Sequence, residues 1–161
     1  MPDTQFETPF IDTEFHATDL KCTVFEGAAV PAPPLPKPIG VIRSNQDWGV
    51  LVEWTTEGSL VPVIPGVWHL NLHLESIGPG PELRLPTNEV HVPLTPGPSP
   101  QKYSVRIDVP AGIVPTPPHQ TQPYMLVTTI THSFCEQPPY QPSSMAGYHE
   151  GPILQFYNPG P

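Results

Sequence analysis

Positive charge is scarce in this chain. Six Lys and Arg residues stand against 15 Asp and Glu residues, which gives a formal net charge of −9. The six basic residues never cluster along the sequence: Lys21, Lys37, Arg43, Arg84, Lys102 and Arg106. Affinity for nucleic acid comes mainly from Lys and Arg on phosphates, so we predict that the chain binds no nucleic acid. The same deficit argues against binding to an anionic membrane surface.

Long hydrophobic runs and a leader sequence are also missing. No apolar run approaches the ~20 residues that are needed to span a bilayer. The N-terminus lacks the basic and apolar regions of a signal peptide. We therefore expect a soluble chain without membrane insertion. It is either cytoplasmic, exported without an N-terminal signal, or a processed fragment.

Cysteine is limited to Cys22 and Cys135, which lie far apart and in no spacing typical of a metal site. We expect two buried thiols in a reducing compartment. The alternative is one disulfide between the N-terminal segment and a late strand. Such a long loop would stabilise the fold by about 4–5 kcal/mol in the chain-entropy model.

Catalytic and cofactor motifs are not found in the sequence. There is no Gly-x-Ser-x-Gly elbow around Ser104, Ser133, Ser143 or Ser144. The segment 78–81 alternates Gly and Pro, and its prolines lack the amide donors that a phosphate-binding loop requires. We predict that the chain is not an enzyme and carries no cofactor.

Proline, in contrast, is abundant, with 27 of 161 residues, and it punctuates the chain. Between the proline clusters lie runs of alternating apolar residues, notably 48–54 and 67–74. Proline ends helices and keeps to strand ends, edges and turns. Alternation with a period of two predicts strands with one buried face. The chain is therefore predicted to be all-β.

About seven strands follow residue 38, at turn spacings typical of an antiparallel β-sandwich. The pattern resembles an immunoglobulin or fibronectin III-like sandwich in two respects. An early strand carries Trp, and a late strand begins at Tyr124 after a proline-rich corner. A jelly roll is the alternative arrangement.

The chain divides by composition into three parts. Residues 1–30 contain aromatic side chains interspersed with acidic ones, and we predict that they form an extended N-terminal arm with one possible strand. Residues 31–38 are the most proline-dense stretch and predict a polyproline II spacer. A ligand for an SH3 or WW groove is the alternative role of that spacer. Residues 39–161 form the predicted sandwich, with further proline-rich loops.

These features favour a non-enzymatic structural subunit that assembles with itself or with other subunits. An extended arm can add a strand to the exposed sheet edge of a neighbour. We expect Phe6, Phe10, Phe15 and Phe25 to anchor the arm in such an exchange. A homo-oligomer would result.

The alternative function is a carbohydrate- or small-ligand-binding module. Loops 110–123 and 136–150 would form the binding surface, since binding residues concentrate on loops. The candidate contact residues are Tyr140, Tyr148 and His149. The partner would then be a glycan.

The outward face of residues 67–75 is the best candidate for a metal site. His69, Asn71, His73 and Glu75 share that face. Same-face neighbours on a strand lie roughly 6.5–7 Å apart, so two histidines four residues apart cannot hold one ion. A site would need ligands from an adjacent strand, such as His91 or Glu89. We expect solvent-facing polar residues and no metal.

Overall fold

The structure is a computed structural model that describes residues 4–27, 40–85 and 89–161. Within these ranges it contains no helix, and therefore none that is long and apolar enough to cross a membrane. The all-β prediction is confirmed. The strands are β1 (Thr4–Glu7), β2 (His16–Glu26), β3 (Val41–Arg43), β4 (Trp48–Glu57), β5 (Val67–Ser76), β6 (Leu83–Arg84), β7 (Val90–Pro93), β8 (Gln101–Val109), β9 (Thr121–Ser133) and β10 (Pro142–Tyr157).

Seven strands form one sheet, which we call the long sheet. Strands β10, β9 and β5 lie side by side in antiparallel register. Two short strands, β1 and β3, pair with the edge of β10 that faces away from β9. Two others, β6 and β7, pair with the edge of β5 that faces away from β9. The pairing of β3 with β10 is parallel, and the other pairings in this sheet are antiparallel.

The remaining three strands form the short sheet, in the order β2-β4-β8. Both of its pairings are antiparallel. A bulge interrupts β2 between Thr18 and Lys21, where Asp19 adopts a positive φ of 58°. An extra residue of this kind bends an edge strand and increases its twist.

The core lies between the two sheets, on the faces that the alternation predicts. Inward residues of β4 are at most 2% exposed, and those of β5 at most 3% exposed. Trp54 of the short sheet meets Trp68 of the long sheet with ring centroids 6.3 Å apart. Each aromatic buries roughly 150–250 Å², and full burial of a large apolar side chain stabilises the fold by roughly 1.5–3 kcal/mol. The inward residues are Trp48, Val50, Val52 and Trp54 on β4, and Trp68, Leu70, Leu72 and Leu74 on β5.

The described N-terminal residues 4–27 contribute one strand to each sheet. β1 joins the long sheet and β2 joins the short sheet. No strand was expected at β1. The division into arm, spacer and sandwich stays a prediction, because the spacer at 31–38 lies outside the described residues.

The loop expected over residues 136–150 is shorter than predicted, because β10 begins at Pro142. Ser, Gly and Pro dominate the first part of this strand and conceal its period. Burial nevertheless alternates from Met145, which is 1% exposed, to His149, which is 6% exposed. This segment is a strand because it pairs with β9 on one edge and with β1 on the other, although its local sequence does not predict a strand.

Both cysteines are free, so the disulfide alternative is wrong. The Cys22 Sγ lies 2.9 Å from the Thr128 Oγ1 of the facing sheet. Burial raises the pKa of the Cys22 thiol to about 11, against an opposing hydrogen bond with Thr128. Cys22 is therefore a protonated, unreactive thiol at neutral pH.

Candidate functional site

Two imidazoles and a carboxylate meet on the outer face of the long sheet, where β5 pairs with β7. The register places His69 of β5 directly opposite His91 of β7. Glu89 precedes β7 by one residue, so it projects to the same side as His91. We call His69, Glu89 and His91 the histidine cluster.

One carboxylate oxygen joins both rings of the cluster. Glu89 Oε1 lies 2.6 Å from His69 Nδ1 and 2.8 Å from His91 Nε2. The three groups each offer one potential ligand atom, and these atoms all lie within 4.8 Å of one another. Such convergence of nitrogen and oxygen donors is what a metal ion of the zinc type requires.

A second set of side chains holds the cluster in place. The other ring nitrogen of His69 lies 2.7 Å from Ser133 Oγ on β9, and that of His91 lies 3.2 Å from the Tyr140 hydroxyl. Asn71 Nδ2 donates to the second oxygen of Glu89 at 3.1 Å. These bonds fix both rings and the carboxylate in one arrangement.

Support for Glu89 extends one residue further, because Arg84 of β6 donates to Asn71 Oδ1 at 2.6 Å. The short strands β6 and β7 thus both contribute to the cluster. Both strands are positioned by pairing with the edge of β5 that faces away from β9.

Tyr140 also covers the cluster from the segment before β10. Its ring lies edge-on to His69 at 4.7 Å and to His91 at 5.2 Å between centroids. As a result the His69 side chain is only 5% exposed, whereas Glu89 and His91 are 37% and 39% exposed. The expectation of solvent-facing residues is therefore wrong for His69, because Tyr140 and β7 cover its outer side.

The carboxyl of Glu89 is held in its ionised form. Partial burial acts to raise its pKa, but hydrogen bonds from Asn71, His91 and His69 outweigh burial and lower the pKa to about 2. The cluster therefore presents a negative charge at neutral pH. A negative charge beside two imidazoles suits a cation.

Ser133, His69 and Glu89 also have the connectivity of a nucleophile–base–acid triad. Ser133 is only 4% exposed, however, and its residue pairs with both Val67 and Pro142 within the sheet. A nucleophile has to reach the reacting atom of a substrate. The hydroxyl is placed instead to hold His69.

The structure does not bring the other predicted face residues into the cluster. His73 lies opposite Arg84 rather than opposite a second ligand. The candidate site therefore centres on His69, and His73 takes no part in it. The sequence signal that was available is the pair Glu89 and His91, which share one face at a spacing of two residues. The sequence does not show the β5–β7 register that brings Glu89 and His91 to His69.

The predicted interaction residues lie against the body of the same chain. Phe6 meets Trp68 edge-on at 6.3 Å, and Phe15 stacks on Trp68 at 6.5 Å. Phe10 contacts Phe15 at 6.2 Å. Phe25 is 1% exposed, and the Arg106 guanidinium lies 4.2 Å above its ring.

Two of the predicted ligand-binding residues, Tyr140 and Tyr148, lie on the outer face of the long sheet, whereas His149 faces the opposite side. Tyr140 belongs to the histidine cluster region, whereas Tyr148 and His149 lie within β10. Tyr148 pairs with Thr129 and Gln5 in the sheet. His149 is 6% exposed, and burial lowers its pKa. The glycan-binding alternative stays a prediction, and Tyr140 is the residue in it that reaches a polar site.

Comparisons with known proteins give no relative for this chain: no family model matches it, and neither a curated protein nor a solved structure does.

Proposed function

We propose that this chain is a non-enzymatic β-sandwich subunit that assembles with further copies of itself by exchanging its N-terminal segment, residues 4–27. The carrying observation is topological. Among the described strands, β1 pairs with β10 alone and β2 pairs with β4 alone, each at the margin of its sheet. A terminal segment that supplies marginal strands can come from another copy without breaking any interior strand pair.

The aromatic contacts of this segment explain why exchange is favoured over release. Phe15 and Phe25 are each 1% exposed. Exposing such a side chain costs roughly 1.5–3 kcal/mol, so the segment does not leave its groove empty. An identical segment from a second copy makes the same contacts with Trp68. Exchange therefore loses little contact energy.

The connection between β2 and β3 suits this mode of assembly. It includes residues 28–39, of which five are proline. A fully extended chain of this length spans up to about 40 Å.

The strand order supports an immunoglobulin-like arrangement as part of the same proposal. The orders β2-β4-β8 and β10-β9-β5-β6 correspond to strands A-B-E and G-F-C-C′ when seven sandwich strands are lettered in chain order. Domains of this kind occur widely in proteins that act through protein contacts, although a fold does not by itself define a function.

Paired cysteines distinguish an exchanged segment from one that stays on its own body. Gln5 and Tyr148 are direct partners in the β1–β10 register. Opposed residues in antiparallel strands are close enough for a disulfide. We would introduce Gln5→Cys and Tyr148→Cys into a chain with Cys22→Ser and Cys135→Ser, and oxidise it at high concentration. The matched control pairs Glu75→Cys with Met125→Cys across β5 and β9, which lie within one body.

The proposal predicts covalent dimers on a denaturing gel from the Gln5–Tyr148 pair, together with an oligomeric mass by light scattering before oxidation. The Glu75–Met125 pair should give monomers that carry an internal crosslink. Monomeric mass, with purely internal crosslinks from both pairs, would overturn the proposal.

A further inference from the structure

The histidine cluster carries an inference that does not depend on how the chain assembles. Its ligand atoms come from β5 and from the start of β7, about 20 residues later in sequence, and they meet at one oxygen of Glu89. Two ligands of a tetrahedral zinc ion, at about 2.0–2.1 Å each, lie about 3–3.5 Å from one another. The two contacts with Glu89 are shorter, at 2.6 and 2.8 Å, and all three ligand atoms lie within 4.8 Å of one another, so modest side-chain rotations bring His69, Glu89 and His91 around a common centre.

The hydrogen bonds behind the rings are those that metal-binding histidines need. A ligating histidine uses one nitrogen for the ion and commonly donates its other N–H to a fixed partner. His69 Nε2 meets Ser133 Oγ, and His91 Nδ1 meets the Tyr140 hydroxyl. Both partners are hydroxyls, which can accept or donate. When the other nitrogen carries the proton and donates to its hydroxyl, His69 Nδ1 and His91 Nε2 each have a lone pair free for an ion. No polar atom of either ring is then left unpaired.

The carboxylate is organised in the same way. One oxygen of Glu89 faces the two rings, while the other accepts from Asn71, which Arg84 holds in turn. One oxygen is thus free to ligate while the other is anchored. A single carboxylate oxygen otherwise serves two imidazoles at once, and a cation in that place would interact favourably with all three groups.

Access and ligand type define which ion fits. Glu89 and His91 are more than a third exposed, so an ion can enter from the outer face of the sheet, and water can complete its coordination. Calcium and magnesium prefer sets of oxygen ligands. Two imidazoles with one carboxylate favour zinc, copper, nickel or cobalt.

We infer that His69, Glu89 and His91 bind one divalent transition-metal ion, with the remaining coordination positions open to water. Ser133, Tyr140 and Asn71 position these three ligands without contacting the ion. Binding would also fasten the four-residue edge strand β7 to β5.

Calorimetric titration of the full chain with Zn²⁺ after EDTA treatment tests the inference. The chain should carry Cys135→Ser, which removes a half-exposed thiol as a competing ligand. We expect saturable binding of one ion per chain and a raised unfolding temperature. Glu89→Gln and His91→Gln should each weaken binding by more than about tenfold. His73→Gln is the matched control, because His73 lies on the same strand and face as His69 but outside the cluster.

A conservative pair of variants tests the positioning role. Tyr140→Phe removes the hydroxyl that meets His91 and should weaken Zn²⁺ binding about 10–100-fold, whereas Tyr157→Phe, whose hydroxyl accepts from Arg43 outside the cluster, should leave it unchanged. Near-ultraviolet circular dichroism in EDTA establishes that each variant keeps the fold. Absorption of the Co²⁺-loaded chain should show ligand-field bands without sulfur charge transfer. Absence of saturable binding, or binding that survives both Glu89→Gln and His91→Gln in folded protein, would overturn the inference.

Discussion

The two sheets differ in the length of the strands at their edges. In the long sheet, β10 and β5 are each lined by two short strands, β1 with β3 and β6 with β7. In the short sheet, β2 and β8 are themselves the margins, over 11 and 9 residues. Short edge strands limit the backbone that is open to other chains, whereas long ones need bulges or charges. β2 has a bulge, and β8 carries Lys102 and Arg106.

This difference explains where polar chemistry can arise. A short strand beside β5 places Glu89 and His91 next to His69, so three titratable groups share one place. The outer face of the short sheet carries exposed charged side chains, such as the pair Lys21 and Glu53, beside the buried Phe25. Substitutions should therefore be felt strongly at the covered margin of the long sheet and weakly on the short sheet.

The largest expected effect comes from Gly66→Ala, at the start of β5. Gly66 has a φ of +122°, and an added Cβ would overlap the carbonyl oxygen of Ser133. Gly112→Ala after β8 is the matched control, because Gly112 has a φ of +82° with nothing within 4 Å of an added Cβ. Backbone strain alone costs about 1–3 kcal/mol. Urea unfolding should show a greater loss at Gly66, by about 2 kcal/mol or more, since β5 and β9 have to separate there.

Equal losses of unfolding free energy in the two alanine variants would contradict this packing of Gly66 against Ser133. Both variants place alanine at a positive φ, and they differ in whether other atoms cover the added Cβ.

A smaller effect should appear in acid, at Glu89. Its folded pKa of about 2 lies below the usual value near 4.3, so its ionised form stabilises the native state. That contribution is fully present above about pH 4.5 and is lost as the pH falls towards 2. Urea unfolding in EDTA should therefore show wild type losing stability relative to Glu89→Gln across this window.

Asn71→Ala removes one of the hydrogen bonds that lower the Glu89 pKa, so it should reduce the acid sensitivity in part. Parallel pH profiles for wild type and Glu89→Gln would show that these hydrogen bonds do not favour the ionised carboxylate.

The smallest effect is expected on the short sheet, where Lys21 Nζ lies 3.8 Å from Glu53 Oε1. The Lys21 and Glu53 side chains are 63% and 35% exposed, so water screens the pair. Lys21→Gln should change the unfolding free energy by less than about 1 kcal/mol, and added salt should reduce the change further. A larger loss would mean that this outer face is more tightly organised than its exposure indicates.

Most strands could be predicted from local pattern, and the exceptions have physical reasons. In β4 and β5, Trp, Val and Leu alternate with polar residues, so the inward face is evident. β1 is too short to show a period, and the first half of β10 is built from small residues and proline. Both become strands because they pair with each other and with β9, and such pairing depends on residues distant in sequence.

The sequence by itself determined an all-β chain with a Trp-lined core and outward polar residues on β5, because side-chain alternation is a local property of extended backbone. It also determined that Glu89 and His91 share a face. Only the tertiary structure decided that His69, rather than His73, meets them and that Tyr140 covers the site. Register between strands and the placement of loops arise from packing across the whole molecule, and a shift of two residues would have assembled a different set of ligands.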